Sequence, residues 1–266
     1  MADRLRSYWQ NKTVLITGAS SGLGWAITAA LAEYGVHFGL LSRRKEKLQE
    51  LAEKLSDSGS RFWYKACDVR DREQVATAIR EFRETAGRLD VAWVNSGIGG
   101  DASFENWNWD NFEAMIDTNL KGAIYTARTC LEIMVEQRAG ALVRIGSASA
   151  MRGLPGRSVY GLTKIALEYY LVGQAAELPE VQFTIIHPGF VDTPINSGNP
   201  NRFWLQTPER AAQIMIKAVA DGKRMLIFPR RMAALFRLVR MVPLPSYLWL
   251  ARKLARLSKS APRKEP

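Results

Sequence analysis

Thr17-Gly18-Ala19-Ser20-Ser21-Gly22-Leu23-Gly24 is the stretch that decides the fold. A β-branched run, Thr13–Thr17, leads into it. A helically spaced segment, Gly22–Tyr34, leaves it and stops at Gly35, a helix-ending glycine. A turn of this kind offers bare backbone N–H groups and the positive end of a helix dipole, which together suit a dinucleotide pyrophosphate. Glycine lets the chain turn sharply and lets phosphates approach closely. A glycine triplet alone also fits an ordinary tight turn, but its place between strand and helix supplies the confirming context. Gly18, Ser20, Ser21, Gly22, Leu23 and Gly24 are therefore candidate nucleotide contacts.

Outward from this turn, strands and helices alternate. Strands are expected at Val36–Leu41, Phe62–Cys67, Asp90–Asn95, Ala141–Ile145, Gln182–His187 and Met225–Phe228. Helices are expected at Lys45–Leu55, Arg72–Thr85, Trp109–Ile133 with a break near Asn119–Lys121, Val159–Leu178 and Pro208–Ala220. Near-continuous apolar strands separated by single helices describe an α/β fold with a seven-stranded parallel sheet covered on both faces.

The second strand ends Leu40-Leu41-Ser42-Arg43-Arg44. An NAD site usually places an acid there for the ribose 2′-hydroxyl, whereas a 2′-phosphate calls for a cation and no acid. Ser42 stands at the acid position and Arg43 follows it, so NADP(H) is expected in preference to NAD(H). A solvated charge run opening a polar helix is the structural alternative.

Tyr160 and Lys164 are four residues apart, which on a helix places them on one face. A phenol is a weak acid at neutral pH, and a neighbouring ammonium stabilises the phenolate. Ser147 lies thirteen residues before Tyr160, just past the fifth strand. Ligands bind at that end of a parallel sheet, where a hydroxyl can hold a carbonyl oxygen and stabilise its developing charge. Ser149 is a second hydroxyl nearby, with a turn role as its alternative.

With this G-x-x-x-G-x-G spacing, the Y-x-x-x-K pair and the upstream serine, residues 10–228 resemble the short-chain dehydrogenase/reductase family in its compact form. The resemblance implies a doubly wound Rossmann fold that binds NAD(H) or NADP(H), with Ser147, Tyr160 and Lys164 as the catalytic set. It implies a fourth catalytic position at Asn119, where the family's helix kinks and a carbonyl-held water relays protons to the lysine. By composition alone, a mid-helix asparagine is only a poor helix former. The resemblance also places Asp68 and Val69 against the adenine; a turn or N-cap role is the alternative for Asp68. Asn95 and Gly97 correspond to the family's Asn-Asn-Ala-Gly, which reads Asn-Ser-Gly-Ile here. Pro188, Gly189, Val191 and Thr193 correspond to the stretch beside the nicotinamide carboxamide. A homodimer or homotetramer follows by the same resemblance.

Substrate identity is expected in Asn196–Gln206, a lid-like segment ending in Phe203 and Trp204, with Met151, Leu154 and Pro194 as further apolar candidates. Trp107 and Trp109 are expected to serve packing. The expected function is hydride transfer between NADP(H) and the carbonyl or secondary alcohol of an apolar, lipid-like small molecule. The rival expectation is a catalytically silent nucleotide sensor or scaffold of the same fold.

The net charge of +11 is unevenly placed. Residues 1–222 hold 25 basic and 25 acidic side chains, while residues 223–266 hold twelve basic and one acidic. Residues 1–228 read as a catalytic domain and 229–266 as a basic amphipathic extension. In Arg230–Val242, Leu235, Phe236, Leu238, Val239 and Val242 share a broad face; Tyr247–Leu257 repeats the theme with Trp249, Leu250, Leu254, Arg252, Lys253 and Arg256. Such segments either lie on anionic membranes through residues 230–257 or pack their apolar faces on protein. The neutral body argues against a nucleic-acid partner. Cys67 and Cys130 have no framework spacing and are expected as reduced core residues, and no metal site is expected. No apolar leader precedes the first strand, so a cytoplasmic setting, with attachment at the inner membrane face as a variant, is the expectation.

Overall fold

The computed structural model describes residues 2–197 and 202–260; side chains of Ala2, Ser149 and residues 254–260, including Leu254 and Arg256, lie outside those described. The strands are β1 (Thr13–Thr17), β2 (His37–Ser42), β3 (Arg61–Ala66), β4 (Val91–Val94), β5 (Gly140–Ile145), β6 (Val181–Pro188) and β7 (Met225–Phe228). They form one sheet in the order β3-β2-β1-β4-β5-β6-β7, every pair parallel. The strand order reverses between β1 and β4. Crevices outside the carboxyl ends of strands at such a reversal are where open α/β sheets bind ligands.

Strand β1 is buried along its whole length, as a central strand covered on both faces must be. On one face pack α1 (Ala2–Trp9), α2 (Gly22–Ala32), α3 (Lys45–Lys54) and α8 (Pro208–Ala220), around Ile16, Ile27, Leu48 and Ile216. On the other pack α4 (Arg72–Ala86), α6 (Gly122–Glu136) and α7 (Ser158–Glu177), around Leu15, Ile79, Phe82 and Leu167. Both cysteines are buried and free, and burial raises each thiol's pKa, that of Cys67 to about 11.

Three departures from the sequence expectations bear on the site. Helix α1 was not anticipated; fully buried Trp9 pins it, its indole N–H donating to the Ile216 carbonyl at 3.2 Å. The long helix is not broken but bulged: α5 (Trp109–Ile116) passes through a π-helical turn, Asp117–Lys121, into α6. Such bulges concentrate at functional positions. The extension folds as α9 (Arg230–Met241) and α10 (Leu244–Ser260), so α10 begins ahead of the expected Tyr247. Pro245 sits in its first turn, where a missing N–H costs nothing.

Candidate active site

A cleft of about 3480 Å³ opens at the carboxyl ends of the strands. That is more than three times the ~1000 Å³ at the upper end for drug-sized ligands. It runs from the glycine turn, past Ser147 and Tyr160, to the inner faces of α9 and α10.

At its first end the turn folds as its sequence requires. Gly22 has φ +56°, a left-handed conformation that a side chain would strain. A Cβ on Gly24 would fall 2.4 Å from the Gly18 carbonyl oxygen, so only glycine lets α2 start so close to the turn. The Ser21 side chain does not cap α2, which leaves the first N–H groups of that helix without a side-chain cap. Asn95 holds the turn from behind, its amide donating to the Thr17 carbonyl at 2.9 Å and to the Gly18 carbonyl at 3.3 Å.

Beyond the turn lie Ser42, Arg43 and Arg44. Arg44, rather than the expected Arg43, donates to the hydroxyls of Ser20 at 2.9 Å and Ser21 at 3.0 Å. Ser42 accepts from the Arg44 N–H at 3.1 Å, which fixes the start of the following loop. Arg43 is exposed on the cleft rim, near enough to Asp68 to favour its ionised form. Asp68 and Val69 both border the cleft, but the Asp68 carboxylate is engaged by Arg70 at 2.6 Å and accepts the Arg70 backbone N–H at 3.0 Å. Its side chain thus serves a turn as well as the cleft wall.

Deeper in, α7 carries Tyr160 and Lys164 on one face. The Lys164 Nζ sits 5.5 Å from the centre of the Tyr160 ring and donates to the Ile145 carbonyl at 3.2 Å. Ser147 hydrogen-bonds the phenol. Burial raises the phenol's pKa, against the opposing pull of that hydrogen bond and of the Arg144 and Arg157 charges. Burial, helped by the charge on Arg144, brings Lys164 down to about 7. Asn119, on the π turn, is clamped to one backbone residue: its amide donates to the Ile98 carbonyl at 2.9 Å and its oxygen accepts the Ile98 N–H at 2.7 Å. A Cβ on Gly97 would lie 3.3 Å from both Asn119 Oδ1 and Lys164 Nζ, so glycine keeps the space over the amine open.

Behind these groups lies a charged network that was not singled out from sequence. Arg144, fully buried on β5, pairs with Glu168 at 3.2 Å and donates to the Lys164 carbonyl. His187 Nε2 lies 3.2 Å from the same Glu168 oxygen, and its Nδ1 lies 3.1 Å from the Ser147 carbonyl. Burial brings Arg144 down to about 10, with Glu168 opposing. Burial raises Glu168, but His187 and Arg144 outweigh it and hold the carboxyl below its usual range. Two signals were available: an arginine inside an apolar strand, and Glu168 continuing the four-residue spacing of Tyr160 and Lys164.

Of the expected contacts, Gly18, Ser20, Ser21, Gly22, Leu23, Asn95, Gly97, Pro188, Gly189, Val191 and Thr193 border the cleft, whereas Gly24 and Asn119 stand behind its wall. Among the substrate-end candidates, Leu154, Pro194 and Phe203 line it. Met151 does not, and Trp204 turns to a separate hollow with Pro229 and Arg230. Residues 198–201 of the expected lid lie outside the described residues. Trp107 and Trp109 pack on each other and on Phe112, and both stay exposed. The far wall comes from the extension: Leu235, Phe236, Val239 and Val242 face the cleft. Arg152 fastens it there, donating to the Val242 carbonyl at 2.7 Å with its guanidinium 4.2 Å over the Tyr247 ring.

Residues 12–202 match the family model described as short chain dehydrogenase. An uncharacterized oxidoreductase of Myxococcus xanthus (strain DK1622) is 32% identical over 247 residues, or 91% of this chain and 97% of the relative. An alcohol dehydrogenase from the archaeon Thermococcus sibiricus, solved with 5-hydroxy-NADP, is 28% identical with a TM-score of 0.77, covering 82% of this chain and 96% of that one. A short chain dehydrogenase/reductase from Burkholderia phymatum, solved with NAD, gives a TM-score of 0.79 at 20% identity, covering 86% and 93%. At that identity the likeness is one of fold.

Proposed function

The chain belongs to the short-chain dehydrogenase family, and on that premise we propose that it moves a hydride between NADP(H) and the carbonyl or secondary-alcohol carbon of an apolar, lipid-like substrate. The observation that carries this is the convergence of the Ser147 hydroxyl and the buried Lys164 amine on the Tyr160 phenol, at the carboxyl ends of the strands. The uncapped start of α2 and the close-packed glycine turn fit a pyrophosphate, and Lys164 offers an amine beside the cleft. When bound, the dinucleotide supplies or accepts the hydride.

The chain's own residues handle the proton and the charge. Ser147 orients the carbonyl oxygen and stabilises the charge that develops on it. Tyr160 donates the proton in reduction and takes it back in oxidation. Lys164, when charged, favours the phenolate and holds the nucleotide ribose. Asn119 supports the proton path by fixing the π turn against Ile98. Pro188, Gly189, Val191 and Thr193 form the nicotinamide side, and Val69 the adenine side. The apolar wall contributed by residues from 229 onward, which we treat as an extension of the catalytic domain, supports an apolar substrate.

The fold accommodates either nucleotide, as its NAD- and NADP-type neighbours illustrate. The preference for NADP(H) rests on Ser42 standing where an acid would select NAD, with Arg43 and Arg44 beside it. Ser42→Asp/Arg44→Ala is expected to weaken NADPH by about 10–100-fold, the loss of one or two charge-assisted hydrogen bonds, while NADH gains relative to it. Fluorescence titration with both nucleotides checks this, and an unchanged ratio would remove the assignment.

A homo-oligomer is supported by Leu162, Ile165, Tyr169 and Val172, an exposed apolar stripe along α7. Tyr169→Glu/Val172→Glu is expected to reduce the native mass in light scattering; a parent already monomeric would exclude the assembly. No helix among the described residues is long and apolar enough to cross a membrane. The buried free thiols suit a reducing compartment, and we place the protein in the cytoplasm.

A further inference from the structure

Helices α9 and α10 carry two apolar faces, and the body uses one of them. Leu235, Phe236, Val239 and Val242 point inward to the cleft. Leu238, Met241, Leu244 and Trp249 point outward, with relative exposures of 63%, 80%, 60% and 65%. The cleft and the exposures separate the sets on α9: positions 235, 236 and 239 line the cleft, while positions 238 and 241 stay exposed. Around the outer set stand Arg230, Arg231, Arg237, Arg240, Arg252 and Lys253, all exposed. None has an acidic partner among the described residues. From Lys223 to Lys264 the sequence holds twelve basic side chains and no acidic one.

Exposed apolar side chains ringed by unpaired cations match an anionic bilayer. The apolar groups enter the headgroup boundary and the cations pair with lipid phosphates. Trp249, with Lys253 5.3 Å over its ring, has the apolar body and polar edge that such a boundary favours. A second copy on the same face would oppose like charges, and a nucleic acid would leave Leu238, Met241 and Trp249 in water. We propose that the outer face of α9 and α10 docks on an anionic lipid bilayer, and that the substrate is a hydrocarbon-chain carbonyl lipid drawn from it into the cleft those helices wall. The substrate half rests on the proposed hydride transfer; the docking half does not.

Co-sedimentation of the full chain with phosphatidylcholine vesicles, with and without phosphatidylglycerol, tests the docking. The parent is expected to partition onto the phosphatidylglycerol vesicles and to be released by high salt. Leu238→Glu/Met241→Glu/Trp249→Glu is expected to lose at least about tenfold in partitioning while keeping parental NADPH affinity. A parent that stays in the supernatant, a variant that binds like the parent, or binding equal on neutral vesicles would overturn the proposal. So would a variant that alters only the oligomer mass, since a second copy would then cover this face. For the substrate half, a long-chain ketone in phosphatidylglycerol vesicles should be reduced faster by the parent than by the variant, with a dispersed short ketone reduced equally by both. Equal rates on the vesicle ketone would overturn the delivery route. Vesicle binding without reduction of either ketone would overturn the hydride-transfer reading and leave the docking standing.

Discussion

Tyr160→Phe is expected to lower kcat/KM for carbonyl reduction by about 10²–10⁴-fold, the usual contribution of a positioned general acid. The ring keeps its packing against the cluster of Ala102, Met115 and Val159, so only the hydroxyl and its hydrogen bond to Ser147 are lost. Stability should therefore change by no more than about 1.5 kcal/mol, and NADPH affinity should hold. Because burial holds the phenol's pKa above its ordinary value, Tyr160 is protonated at neutral pH in the free protein. That is the state reduction needs. Alcohol oxidation needs the phenolate, so its rate should climb with pH while reduction stays insensitive to Tyr160 titration. Steady-state kinetics in both directions, with nucleotide binding measured separately, checks the set. A phenylalanine variant with parental turnover would remove Tyr160 from the chemistry.

Removing Arg144 is expected to be the most damaging change outside the reacting groups. Arg144→Met takes one partner from a buried ion pair, which typically costs about 3–5 kcal/mol because the other charge is stranded. Glu168 would keep only His187, and the Lys164 carbonyl would lose its side-chain donor. The effect should reach Lys164 itself. Burial first, and Arg144 second, bring that amine to about 7, so it is charged below neutral pH and loses its proton as pH rises through about 7. If its charged form holds the ribose, NADPH affinity of the parent should weaken across that interval. Without Arg144 the same weakening should move to higher pH. Arg144→Met/Glu168→Leu, which removes both charges, should recover part of the stability and keep the displaced pH profile. Denaturant titration gives the first quantity and NADPH titration against pH the second. A stable single variant with an unmoved profile would reduce the network to packing.

The seven-stranded sheet and its first glycine turn were legible because they depend on local order. Apolar strands four to eight residues long, separated by single helices such as the one that stops ahead of Gly35, leave few other arrangements. Tyr160 and Lys164 were legible because helical spacing alone puts them on one face. What stayed hidden depends on contacts distant in sequence. Arg44 rather than Arg43 meets the Ser20 and Ser21 hydroxyls, because the chain after Ser42 turns back towards the glycine loop. Periodicity in α9 correctly grouped Leu235, Phe236 and Val239 but gave no sign that the surface they cover is the cleft. Nor did it separate Leu238, which shares their stripe on paper yet faces outward. Trp204 and Met151 were misplaced for the same reason: proximity to the site in sequence does not determine which way a side chain turns.

The most direct measurement follows deuterium from [4-²H]NADPH, labelled on the transferring face, into product, using a panel of apolar ketones and mass spectrometry, with Tyr160→Phe alongside. One deuterium is expected on the carbinol carbon of an apolar product, formed by the parent and nearly absent with the variant. Tight NADPH binding without deuterium transfer to any member of the panel would contradict that expectation and favour a nucleotide sensor built on the same fold.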